Sequence, residues 1–401
     1  MITLRSISRT PFNATQKRVL VALASAVGLR MLGLFLVLPV FTLYGLQFTR
    51  SRFLVGFAFG CYGLTMALFQ IPLGRLSDRI GRQKVLILGM SIFSLGSFLC
   101  AIPGWFPPSL QIGELIVGRL IQGGGAIIST AFATIADHFE PEHRSTAMAV
   151  LGIPIGGSFV IGVIGGPLLA GIFNTEFLFW LTGTLGLVTV MILARYFPDS
   201  PPRVSAPAPL AQIFRSRSLL ALGCGGFLLN FFLSTFFFYF PLIVISQHHV
   251  KPTHYYAVLL PMMVISGFTM FAFSLAADRG WARPLTGVAF LIFLPSALLL
   301  FRPEAVGLDQ NQLISVLIPG TLFYIGFTGL EPILPSLVSK FAPESAYGTA
   351  LGSYNTLQFL GSFAGGSVAG ALSRFSSTYI MATLMAASLL GFSLMFVKPK
   401  S

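Results

Sequence analysis

The chain has 401 residues, 55% of them hydrophobic and only 9% charged, with 40 Phe and a mean hydropathy of +0.84. Water-soluble chains average about 45–50% apolar and about 25% charged residues, so a soluble globular protein is excluded and a chain that crosses a bilayer repeatedly is indicated. The net charge of +13 would suit a nucleic-acid binder, but the basic residues stand at the ends of apolar runs and form no stripe interleaved with aromatics, which excludes that class.

In chain order, the polar and basic stretch Met1 to Arg18 has no small-residue cleavage site and is expected to be a retained cytoplasmic tail. A span takes roughly 20 apolar residues. Apolar runs place twelve spans at about 18–46, 52–73, 85–103, 111–138, 145–173, 176–196, 218–247, 253–277, 284–301, 312–340, 346–373 and 377–397. With the N-terminus in the cytoplasm, 18 of the 25 Lys and Arg fall in inner segments, five fall in outer loops, and Arg30 and Arg119 lie within spans. This excess of inner positive charge predicts that both termini are cytoplasmic. Cys61, Cys100 and Cys224 all sit in apolar runs without disulfide or zinc spacing and are expected to pack structurally.

The one long connection, 197–217, contains PDSPPRVSAPAP and reads as a semi-extended linker. It separates six spans (1–196) from six spans (218–401). The halves echo each other: Ser77-Asp78-Arg79 follows the second span and Ala277-Asp278-Arg279 the eighth, while FEPEHRSTAMAVLG from Phe139 parallels FAPESAYGTALGSY from Phe341. The expected fold is therefore all-α and membrane-embedded, twelve transmembrane helices in two pseudo-symmetric six-helix halves. Parallel repeats of this kind point to a transporter with its substrate site near the midplane between the halves.

The densest charge cluster, GRLSDRIGRQKVL from Gly74 to Leu86, carries one acid and four basic residues between two apolar runs. A topology signal needs only Arg and Lys, so the added glycines and acid suggest a second role. Three groups stand deep in apolar runs. Arg119 is either a structural arginine satisfied by carbonyls or a cavity-facing charge that senses the protonation of a nearby acid. Arg30 has no anion among its neighbours, so its partner must come from another span. Glu331, followed by Pro332 and Pro335, which interrupt the helix ladder, is expected to sit just to the cytoplasmic side of the midplane. It is either half of a fixed ion pair with Arg30 or Arg119 or a group that takes a proton from one side and releases it to the other.

Gln122 is one turn beyond Arg119 and shares its face. With Asn230, Tyr239, Tyr324, Tyr354, Asn355 and Gln358 it is a candidate for orienting a substrate in an otherwise apolar cavity, which suits an amphipathic compound better than a sugar. The aromatic run Phe236 to Phe240 is expected to face lipid or core. Asp78, Arg82 and Asp137 are expected to form a charge network at the membrane face.

The residues GRLSDRIGR from Gly74 resemble the cytoplasmic turn of the major facilitator superfamily almost position for position. Leu115, Arg119, Gln122, Gly123 and Gly125 resemble a fourth-span pattern of its proton-coupled members. Gly162, Gly166, Pro167 and Gly171 resemble the fifth-span antiporter pattern, with Ala170 where a glycine is usual. LRMLGLFLVLPV, LFQIPLGRLSDRIGR and LEPILPSLVSK look like the YajR-type branch of bacterial drug:proton antiporters. Some of that branch carry a soluble domain after the last span. This chain ends four residues after its twelfth span, so function tied to that domain is expected to be absent.

The resemblance implies proton coupling through Glu331, Arg30 and Arg119. It implies a latch of Gly74, Asp78, Arg82 and Asp137, with Gly74 letting spans two and eleven touch and Asp78 facing the start of span eleven near Ser345. It also implies a leak seal at the Gly-Pro region of the fifth span. The expected protein is a monomeric secondary transporter in a bacterial inner membrane, not an enzyme. It is expected to export hydrophobic or amphipathic small molecules against protons, with no cofactor, metal or nucleic-acid partner. Uptake or facilitated transport of a small metabolite is the alternative, and a membrane-embedded lipid enzyme a remote one.

Overall fold

A computed structural model describes residues 12–198, 216–343 and 347–396. Among these residues the chain is helical, with no strand. The first half of the chain contributes α1 Ala14–Val37, α2 Phe41–Phe48, α3 Arg52–Ile80, α4 Arg82–Cys100, α5 Gln111–Gly124, α6 Ile128–His138, α7 Pro141–Ile172 and α8 Thr175–Tyr196. The second contributes α9 Arg217–Leu242, α10 Tyr255–Ala276, α11 Ala282–Phe301, α12 Ile314–Phe341, α13 Tyr347–Leu372 and α14 Ser377–Leu394. Most of the 197–217 linker lies outside the described residues. Among the described residues, ten stretches are long and apolar enough to cross a membrane. One of them, Pro252–Phe301, holds two helices, and the glycine- and serine-rich α13 completes the expected set of twelve.

Local chemistry sets the helix starts. Asn13 and Gln16 close a capping box on α1, each side chain bonded to the other's backbone N–H. Ser51, Asn174, Ser216 and Ser376 cap α3, α8, α9 and α14 with their side-chain oxygens. Two expected spans are each broken into two helices. The first breaks after Val37, where Pro39 has no N–H for the ladder. The fourth breaks at Gly125, whose backbone leaves helical geometry (ψ 45°) after Gly123 and Gly124. The expected interruption at Pro332 and Pro335 does not end α12, which runs on through both and through Pro319. Each proline removes a ladder bond without separating the packed segments on either side.

The turns that follow α3 and α10 share one backbone device. Gly81 between α3 and α4 has φ 101°, and Gly280 between α10 and α11 has φ 96°. Both occupy the left-handed region that glycine adopts without steric cost. Their surroundings differ. Arg82 after the first turn is 4% exposed, whereas Asp278 and Arg279 in the second are exposed.

Large apolar side chains face outward along the spans, among them Val21, Leu68, Ile161, Met191 and Phe268. In lipid such a surface costs nothing, whereas in water it would drive aggregation. The run Phe236 to Phe240 is buried core rather than lipid-facing. Phe236 stacks on Phe323 with centroids 3.8 Å apart, and α9 is thereby fixed against α12.

Helices from the two parts of the chain meet closely at one end of the bundle and leave glycine faces uncovered at the other. At the meeting end, α3 and α13 approach through glycine. A methyl group at Gly56 would stand 2.7 Å from the Gly370 Cα, one at Gly60 2.6 Å from the Phe363 carbonyl, and one at Gly63 2.6 Å from the Phe359 carbonyl. On the same level Thr42 donates to the Phe237 carbonyl (3.4 Å). Phe159 of α7 packs on Phe327 of α12 at 5.3 Å, and Gly171 abuts Thr253. At the other end, Gly152, Gly156 and Gly157 on α7 and Gly348 and Gly352 on α13 have open space where a side chain would stand. That is the end carrying the Gly74–Leu86 turn.

Candidate functional site

In the second half of the chain, polar groups gather around Gly226 of α9. The Tyr354 ring and the Gln358 side chain from α13 pack into the space its missing side chain leaves. Asn230, one turn further along α9, donates to the Gly226 carbonyl at 3.5 Å. Glu331 from α12 lies within electrostatic range of Tyr354. Three atoms of this group are buried and have no hydrogen-bond partner: Glu331 Oε2, Tyr354 Oη and Asn355 Nδ2. Buried polar groups are almost always satisfied by protein or water. Orphaned atoms on Glu331 and Tyr354, which lie within electrostatic range of each other, therefore mark a place built to receive something: a proton, water or ligand atoms.

Tyr239 and Tyr324 stand apart from this cluster. Tyr239 donates to the Ala369 carbonyl (3.1 Å) and lines a mostly apolar cavity between α9, α11 and α12 with Phe232, Phe293 and Phe301. Tyr324 is fully buried among Phe236, Phe323 and Phe159, its hydroxyl unpartnered.

In the first half, both intramembrane arginines converge on Tyr62 of α3. Arg30, 0% exposed, donates to the Tyr62 hydroxyl (2.7 Å) and to Met66 Sδ (3.0 Å), and its guanidinium lies 5.1 Å from the Phe93 ring centre. Arg119, 3% exposed, sits 4.7 Å from the Tyr62 ring centre and 4.9 Å from that of Phe41. It donates to Gln122 Oε1 (2.5 Å) and to the Phe59 carbonyl (3.4 Å). The electron-rich ring faces and the phenol oxygen hold these cations in place of a carboxylate. Arg30 Nε and Nη1 and Arg119 Nε remain unpartnered.

Arg30, Arg119 and Glu331 are thus not brought together, and neither arginine forms a salt bridge among the described residues. Gln122 has no free polar atom, since its amide also donates to Ser97 (2.8 Å). It is seated behind Arg119 and against α4. Sequence reasoning missed Tyr62. The signal was present, since Tyr62, Met66 and Gln70 recur at helical spacing on one face of α3, all buried. Tyr62→Phe removes the only side-chain oxygen bonded to Arg30 among the described residues, while keeping the ring beneath Arg119. The expected result is a loss of thermal stability of about 1–3 kcal/mol, the cost of a buried donor left unsatisfied. A melting curve unchanged from the parent would mean that water already satisfies Arg30.

At the open end, Asp78, Arg82 and Asp137 come together as expected. Arg82 bonds Asp78 Oδ1 (2.6 Å), Asp137 Oδ2 (2.8 Å) and the Ser77 hydroxyl (2.5 Å), and Ser77 in turn donates to the Gly74 carbonyl (2.6 Å). One guanidinium thereby ties the end of α3 to the end of α6. Gly74 does not bring α3 to α13. Its open face meets only Ser129 of α6, at 3.2 Å, and the α3–α13 contact is made instead by Gly56, Gly60 and Gly63. Ser345 lies outside the described residues.

The antiporter-type stretch on α7 packs against α1. Gly162 and Gly166 abut Phe35 and Leu36, Pro167 lies inside the helix, and Ser158 donates to the Gly28 carbonyl at 2.8 Å. Small residues here let the two backbones touch.

Comparison with known proteins accords with this architecture. The family profile of the Major Facilitator Superfamily matches residues 23–366. The chain is 31% identical over 362 residues to the inner membrane transport protein YajR of Escherichia coli (strain K12), covering 88% of this chain and 77% of that protein. It is 32% identical over 129 residues to multidrug resistance protein 3 of Bacillus subtilis (strain 168), 32% of this chain and 24% of that one. The crystal structure of the human organic anion transporter MFSD10 superposes with a TM-score of 0.69 at 21% identity, over 94% of this chain and 99% of that one. These relatives are transporters, not enzymes. Matched over most of its length and carrying the twelve-span fold, the chain belongs to the major facilitator superfamily.

Proposed function

We propose that this protein is a proton-coupled secondary transporter that exports hydrophobic or amphipathic small molecules by alternating access, as a monomer in a bacterial inner membrane. The observation that carries the reading is Glu331, a carboxylate within a span with one oxygen buried and unpartnered and no cation bound to it among the described residues. A carboxylate held by a fixed ion pair has no reason to exchange its proton. One left without a partner beside Tyr354 and Asn355 can load and release it as access alternates. Export is supported by the α7 glycine–proline stretch and the sparse polar lining, and by relatives that include a multidrug resistance protein. With both termini in the cytoplasm, the parted end faces inward and the glycine-packed end is the outer gate. The two six-helix halves, 1–196 and 218–401, then rock against each other, so that the α3–α13 contact opens as the parted end closes.

Within this cycle the Asp78–Arg82–Asp137 cluster is the latch that grips α13 when the carrier opens outward. The second turn lacks its parts: Asp278 is exposed, and Arg283 lies over the Phe341 ring, 4.7 Å from its centre. Asp78→Asn is therefore expected to slow transport more than Asp278→Asn, and equal losses in both would count against the latch. The reading as a whole is tested by transport into inverted vesicles driven by an imposed proton gradient, against a panel of lipophilic compounds. Accumulation that collapses with the gradient is expected. A carrier that moves none of the panel, or moves it regardless of the gradient, is instead a metabolite carrier or facilitator.

A further inference from the structure

Glu331 is not the only acid covered within a span. Glu114 opens α5 on the closed side of the bundle, and both of its carboxylate oxygens are buried without a hydrogen-bond partner. An acid in the first turn of a helix usually faces water and meets the positive end of the helix dipole. This one turns its oxygens inward, into the half that holds Arg30 and Arg119.

Its surroundings offer it no donor. Tyr44 of α2 is within electrostatic range of Glu114, Cys100 and Glu176, but its hydroxyl donates to the Cys100 carbonyl at 2.8 Å. The Cys100 thiol of α4, facing the Leu115 carbonyl, lies within range of both Glu114 and Arg119. Glu114 and Arg119 thus both act on Cys100 electrostatically, and Glu114 forms no ion pair among the described residues. Glu176, in the first turn of α8, is the other acid near Tyr44. The titratable groups facing Glu114 are thus Tyr44 and Cys100, with Glu176 beyond Tyr44 and Arg119 beyond Cys100.

We infer that Glu114 is a second proton-binding carboxylate of this carrier, placed in the opposite half from Glu331 and towards the closed end. A buried carboxylate with no donor and no bound cation is stable only when it carries the proton itself or reaches water. Both conditions are met in turn if the closed end opens during the cycle. Arg119 is the fixed charge nearest in the chain, and its Nε is unpartnered, but no bond joins it to Glu114 among the described residues. Each half then carries one exchangeable proton. This inference rests on the proton-coupled reading, but its test does not need a transported substrate.

The experiment is an infrared titration of the full chain in detergent, between about pH 5 and pH 9, above the ordinary glutamate value. The parent protein is expected to show two titrating bands of buried carboxyl groups. Glu114→Gln should lose one and keep the other, Glu331→Gln should do the reverse, and Glu114→Asp should shift the first band rather than erase it. A Glu114→Gln titration that superimposes on the parent's overturns the inference, and so does a Glu114→Asp spectrum in which the parent's band stays unmoved. Loss of a band in Glu114→Gln with none in Glu331→Gln instead overturns the coupling role of Glu331 and leaves Glu114 standing.

Discussion

Replacing Glu331 by glutamine is expected to abolish proton-driven transport and leave the protein folded. Glutamine keeps the shape of the side chain and removes the only carboxylate on α12. The structure separates this outcome from simple unfolding. Removing one member of a buried ion pair strands its partner at a cost of about 3–5 kcal/mol. Here no cation is bound to Glu331 among the described residues, so nothing is stranded and the melting temperature should hold or rise. Energetically, each unit of pH gradient supplies about 1.4 kcal/mol per proton, and a carrier with no exchangeable proton cannot use it. In reconstituted vesicles, gradient-driven uptake should fall to the level of empty vesicles, while counterflow of the same compound persists. Gradient-driven transport at the parent's rate by the glutamine variant would sink the role given to Glu331.

The sequence made the architecture legible because the bilayer restricts the choices. Apolar runs long enough to span can only be helices, and the asymmetric placement of Lys and Arg orders them. The charge cluster of Asp78, Arg82 and Asp137 was legible for a related reason: few charges are present, and those at one membrane face have few possible partners. What stayed hidden depends on which face of a helix a residue occupies after packing. Arg30 and Arg119 look like partners for Glu331, since opposite charges in hydrocarbon should pair. Both instead turn into their own half, where Tyr62, Phe93 and Phe41 supply π faces and a phenol oxygen. Gln122 looks like a cavity residue, but it faces α4 through Ser97. Nothing in the sequence singles out Glu114, because no pattern reveals that its oxygens are buried. Gly74 looks like the contact between α3 and α13. In this conformation the halves touch at the opposite end, through glycines that a repeat-based reading had no reason to rank.

That glycine contact yields the second large effect. Gly56→Leu is expected to disfavour the conformation described here and slow transport severely. A Cβ at Gly56 would already press on the Gly366 carbonyl and the Gly370 Cα. Both are backbone atoms, which cannot swing aside as a flexible side chain can. Overpacking of this kind costs about 1–3 kcal/mol, and a bias of that size shifts a two-state equilibrium by roughly 5- to 150-fold. The strain acts only when α3 and α13 are in contact, so it falls on one conformation rather than on folding itself. Gly152→Leu at the parted end is the control, because open space surrounds that position here. The measurement is the distance distribution between spin labels at residues 50 and 373, across the closed end. Gly56→Leu should move population from the short to the long distance, and Gly152→Leu should not. A Gly56→Leu variant with the parent's distribution and the parent's rate would mean that this contact is not the gate, and the outer seal would then fall to Phe159, Phe327 and the contact of Gly171 with Thr253.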